Sequence, residues 1–172
     1  MGRRESFHTP WRTIIGGAGI IVAVAYAAVG TLFVLVWNPM AAVPGVSLAA
    51  IHAGLDAANE SLAAPSVIVW AAVGIALAVA INLGVVRRPS VSTRHIAALY
   101  LWLLVLGAPS LWFASFPAGM ALADAFDGTT GGDHSSWGMV LSGVSALAML
   151  TLVVTGVMRK PSAPSRAVPS VH

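Results

Sequence analysis

The sequence predicts an all-α integral membrane protein, a single domain over residues 1–172 with four transmembrane helices as two antiparallel hairpins and a short amphipathic surface helix in the first outer loop. Three observations predict it. The 172 residues are 58% hydrophobic and 9% charged, whereas soluble domains carry about a quarter of their residues as charges. Four long apolar runs follow one another along the chain. The cations gather in collars beside those runs: Arg87, Arg88 and Arg94 around Pro89 near the midpoint, and Arg159, Lys160 and Arg166 around Pro161 after the last run.

The elements follow in order. A polar leader, Met1–Arg12, precedes an uncharged run over Thr13–Trp37, whose length of about 38 Å exceeds the roughly 30 Å bilayer core. Such a run is too long for a secretory signal, so an uncleaved first helix is expected. Asn38-Pro39 and Pro44-Gly45 mark its end. Ser47 then suits an N-cap for a helix reaching about Ala63, with Leu48, Ile51, Leu55, Ala58 and Leu62 on one face. That helix is too short and too polar to span, and is expected on the outer surface or against the helix ends. The second span is expected over 66–86 and the third over 96–123, with the basic loop 87–95 between them. Pro109 and Pro117 each remove a backbone donor, so a kink or break is expected in the third span. After a glycine-rich loop over 124–136, the fourth span runs over 137–158, and the Pro- and Ser-rich tail 161–172 is expected to be disordered.

Charge sets the orientation. All nine Lys and Arg residues lie in the leader, the central loop or the tail, while five of the six acids lie in the other two loops. The positive-inside rule places both termini and the central loop in the cytoplasm. Trp11, Trp37, Trp70, Trp112 and Trp137 fall near expected span ends, as interfacial aromatics do, with Trp102 deeper. Eight of the nine cations are arginine, and with the abundant alanine this is the usage of a GC-rich bacterial genome.

The spans carry no acid, base or histidine well inside the hydrocarbon, which argues against a proton-coupled carrier and a transmembrane haem protein. No cysteine is present, which removes thiol chemistry and thiolate metal sites. Asn82 is the only carboxamide within a span; it could touch a substrate, but interhelical contact is the expectation. His52, Asp56 and Glu60 recur at four-residue intervals along the outer helix, and His134 comes from the other outer loop. Imidazole and carboxylate together suit zinc. A solvated helix flank accounts for the same stripe, so neither a metal nor any other cofactor is expected.

Helix packing is read from small residues. Gly16, Gly19, Ala23, Ala27 and Gly30 share one face of the first span, and Ala72, Ala76, Ala80 and Gly84 recur at four-residue spacing in the second. Close backbone approach over such residues supplies van der Waals contact in lipid, so these two faces are expected to meet. No nucleophile motif or phosphate loop is present. The expected function is that of a non-enzymatic accessory or scaffolding subunit of a larger membrane complex in the plasma membrane, or one that self-associates. A small oligomeric transporter or channel component is the alternative. No nucleic-acid partner is expected, because the cations flank the spans.

Overall fold

The computed structural model of the protein describes residues 9–88 and 90–157. The leader before Thr9, Pro89, the end of the fourth span at Met158 and the tail lie outside them. Among the described residues every regular element is a helix: α1 (Thr9–Leu32), a π-helical turn (Phe33–Trp37), α2 (Asn38–Ala42), α3 (Leu48–Ala57), α4 (Ala64–Arg87), α5 (Thr93–Ala125) and α6 (Trp137–Val157). Four helical stretches are long and apolar enough to cross a membrane: Trp11–Ala42, Ala64–Arg87, Thr93–Ala125 and Trp137–Gly156.

The first span does not stop at Trp37. Pro39 lacks an N–H, and its ring crowds the carbonyl four residues back. The helix absorbs this by widening into the π turn, where the Asn38 N–H bonds the Phe33 carbonyl, and then resumes as α2. It ends where Val43 N–H bonds Pro39 O at 3.1 Å and Gly45 turns the chain at φ +81°.

Ser47 does cap α3, its Oγ accepting from Ala50 N–H at 3.3 Å. The helix closes at Ala57, short of Ala63. Asn59 adopts φ 57°, and Glu60 N–H bonds Leu55 O at 2.8 Å while Asn59 N–H bonds Asp56 O at 3.1 Å. This is the Schellman closure, with asparagine at the left-handed position that glycine more often fills. Ile51, Leu55 and Leu62 are buried, Leu48 is half-buried and Ala58 is exposed. Gly54 lies under the Phe126 ring, leaving no room for a side chain at that position.

The third span is continuous through both prolines. Of the expected kink or break, a break is absent: beside Pro109, whose missing N–H leaves Val105 O without its usual donor, Ser110 Oγ donates to Leu106 O at 2.6 Å and Gly107 O at 3.0 Å. At its start, Ser92 Oγ meets both the backbone N–H of His95 at 3.4 Å and its Nδ1 at 2.7 Å.

Helices α1 and α5 form the centre, with α4 packed against both and α6 against α5. α1 and α4 run in opposite directions: Gly16 faces Asn82, Gly30 faces Trp70, and Arg12 Nη2 donates to Val85 O and Arg88 O, each at 3.0 Å. Those two carbonyls lie at the C-terminal end of α4, where unpaired acceptors and the helix dipole both favour a cation. α1 and α5 run parallel, with Tyr100 against Gly19, Tyr26 against Gly107 and Leu111 against Gly30.

The expected pairing of small-residue faces is corrected on the α4 side. Gly16, Ala23, Ala27 and Gly30 are buried and Gly19 half-buried, but Ala72, Ala76 and Ala80 are exposed and Gly84 is half-buried. The buried face of α4 is Val67, Ala78 and Val85, and Asn82 shares it one turn after Ala78. Two residues advance a helix by about 200°, so a face through Ala78 turns Ala76 and Ala80 away from the bundle.

Candidate functional site

Polar groups inside the bundle gather at two levels. Midway along, Ser145 Oγ from α6 donates to Leu104 O at 2.7 Å and accepts from Ala108 N–H at 3.2 Å. Tyr26 Oη from α1 stands 3.1 Å from the same oxygen and 3.3 Å from Leu141 O, and shares its one proton between these two acceptors. A serine hydroxyl has one proton to give and two lone pairs to offer, so this node is filled from within. Below it Tyr100 donates to Ala78 O at 3.1 Å, and beside it Trp70 Nε1 donates to Ser110 Oγ at 2.9 Å. A crevice of about 340 Å³ between α1, α4 and α5 is walled by Ala23, Tyr26, Trp70, Gly74, Leu104 and Gly107. It lies where the core divides into two clusters, one containing Ala23 and Tyr100, the other Tyr26 and Leu111.

The second level is the acidic end, opposite Arg12 and Arg88. Here the π turn delivers Asn38 to the bundle interior, where it is buried. Its Oδ1 accepts from His134 N–H at 2.7 Å and from Ser135 N–H at 3.2 Å. Two amide donors on one atom fix which end of the carboxamide is oxygen. Asn38 thereby ties the loop between α5 and α6 to the end of α1. Trp37, one residue earlier, stacks on Trp137 with centroids 4.7 Å apart. Gly119 touches the Gly131 carbonyl so closely that no side chain fits between loop and helix.

The tied loop roofs a chamber of about 210 Å³ lined by Phe33, Asn38, Trp112, Ser115, Phe116 and Asp133. A smaller void of about 50 Å³ shares Phe33, Trp112, Ser115 and Asp133 and extends toward Leu141 and Ser142. The Asp133 carboxylate lies directly over the Cα of Gly138, with the Phe33 ring beside it. Asp133 is exposed as a residue, but partial loss of solvation at its carboxylate raises its pKa above the ordinary value of 3.8, and neighbouring His134 opposes the rise.

The residues considered for metal binding do not assemble. His52 and Asp56 are exposed and Glu60 is half-buried, while His134 Nε2 meets Thr130 O at 3.0 Å. Among the described residues no three His, Asp or Glu side chains are grouped to hold a metal ion. Asn82 places its amide oxygen in the space where a Gly16 side chain would start, a contact between helices.

Asn38, Tyr26 and Ser145 are the functional candidates that reading the sequence missed. Asn38 was masked by Pro39, which reads as a helix end. Tyr26 and Ser145 had a usable signal, since a hydroxyl deep in an apolar span needs a partner. No family model matches the chain, and neither a curated protein nor a solved structure does.

Proposed function

We propose that the protein is a non-enzymatic accessory or scaffolding subunit of a larger complex in a bacterial plasma membrane. In this reading its spans form two antiparallel hairpins, both termini and the 87–95 loop are cytoplasmic, and α3 lies on the outer surface. The cation distribution supports the orientation. The observation that carries the function is the outward face of α4, where Ala72, Ala76 and Ala80 are exposed and none of the described helices covers them. Small residues in register let another helix approach closely in lipid, where the hydrophobic effect does not drive helices together. The interior supports the same reading, because the Tyr26, Ser145 and Tyr100 hydroxyls are engaged within the bundle rather than offered to a pore.

The test is purification of tagged protein from its native membrane in mild detergent. A stoichiometric partner is expected with the wild type and lost from Ala76→Leu, with the melting temperature of the isolated chain unchanged. Equal recovery of the partner with both proteins overturns this assignment. A second reading, a small oligomeric transporter or channel component, draws on the polar chamber at the acidic end. Flux into liposomes that disappears with Asp133→Asn would select it.

A further inference from the structure

We propose that the chamber at the acidic end is a binding site for an organic ammonium group. Its lining brings together the two things such a cation needs, a carboxylate and aromatic rings: Asp133 stands with Phe33, Trp112 and Phe116 around one space. A ring offers its negative face to a cation, and quaternary and primary amines are recognised in this way. Ser115 adds a hydroxyl that accepts an N–H.

Among the described residues no Lys or Arg lines the chamber. No Lys or Arg occurs over residues 13–86 or 95–158, and Arg12 of α1 and Arg94 of α5 stand at the ends of those helices remote from the chamber. Of the charged or titratable groups at this end, Asp56, Glu60, Asp124, Asp127 and Asp133 are acids. The two histidines are His52, which is exposed, and His134, whose Nε2 is turned to the Thr130 carbonyl. The resulting field draws cations toward the site.

Size and donor set narrow the ligand. At about 30 Å³ per water, the 210 Å³ chamber holds a group of several heavy atoms. A divalent metal would require several oxygen or nitrogen ligands, and the side chains here offer one carboxylate and the Ser115 hydroxyl, the Asn38 oxygen being taken by the His134 and Ser135 amides. The same ammonium chemistry occurs in a free amine and in a zwitterionic lipid headgroup. Trp112 and Phe116 are 59% and 51% exposed, so the chamber can be reached from the surrounding medium past these two rings.

The experiment uses the full chain purified into nanodiscs of phosphatidylglycerol. Choline and ethanolamine are titrated calorimetrically, and retention of phosphatidylcholine or phosphatidylethanolamine over phosphatidylglycerol is read separately by native mass spectrometry. Saturable binding of a free amine, or selective retention of a zwitterionic lipid, supports the site and identifies the source. In either arm Asp133→Asn should weaken binding at least tenfold, as should Trp112→Leu at an exposed position where folding is not at stake. Absence of both signals overturns the proposal. So does binding that neither substitution alters.

Discussion

The hydroxyl of Ser145 stands in the backbone ladder of α5, taking the N–H of Ala108 at 3.2 Å and giving its own proton to Leu104, four residues earlier, at 2.7 Å. In an unperturbed helix those two backbone groups bond each other. The contact falls immediately before Pro109, where the ladder is already weakened by a missing donor. Ser145→Ala removes this bridge and one of the two acceptors of Tyr26, so a loss of about 1 kcal/mol is expected, the usual range for polar contacts between membrane helices. A double-mutant cycle with Tyr26→Phe, followed by thermal unfolding in one detergent, should show coupling. Strict additivity would mean that the two hydroxyls do not share the node.

Asn38 holds the loop over the chamber through a single atom. Asn38→Ala leaves the His134 and Ser135 amides without their acceptor, which at a buried position costs about 1–3 kcal/mol. Hydrogen exchange at these two amides should accelerate in Asn38→Ala and stay slow in Asn38→Asp, which keeps an oxygen in place. Fast exchange in both variants would contradict the role of Oδ1.

Four spans could be read from the sequence because apolar length is a coarse signal that little else imitates. Their limits could not. Pro39 reads as a stop, yet one wide turn carries the helix past it; Pro109 and Pro117 read as a kink or break, yet the helix runs on through both, with Ser110 and Ser145 bonded to the backbone beside Pro109. Both cases depend on groups distant in sequence or on backbone geometry that composition does not encode. The face of α4 was misread for a related reason: alanine at four-residue spacing defines a smooth face but not which neighbour it meets. Tyr100 decides it, by bonding Ala78 O and filling the space above Gly19. At the acidic end the acids were legible, but their convergence with Phe33 and Trp112 required the π turn and the loop fold.

The corrected packing separates two substitutions that look alike in sequence. Gly19→Ala places a methyl against the Tyr100 ring, which is held at its far end by the bond to Ala78 O. Overpacking of this kind costs about 1–3 kcal/mol. Ala76→Leu adds volume on an exposed face and should alter stability by no more than about 0.5 kcal/mol. Thermal unfolding of both in the same detergent makes the comparison, and a larger loss for Ala76→Leu would return that face to the inside.

Asp133 gives stability a dependence on pH whose sign can be worked out. Lost solvation over Gly138 and Phe33 disfavours the charged carboxylate, so its folded pKa lies above the ordinary 3.8, with His134 acting the other way. Between the unfolded and folded values the folded protein keeps a proton that the unfolded chain has released. Its contribution to stability is therefore fully present below 3.8 and is lost as pH rises through the raised folded value. Asp133→Asn cannot lose that proton, so the variant should gain on the wild type as pH increases from about 4 toward 7. His134, Asp124 and Asp127 are present in both proteins, and their titration drops out of the difference to first order. Unfolding midpoints measured across that range in one detergent provide the check: a widening advantage for Asp133→Asn is expected, and a difference that stays flat or narrows would show that the carboxylate is not desolvated where it sits. An ammonium ligand should reverse the order at neutral pH, because it stabilises only the protein that carries the charge.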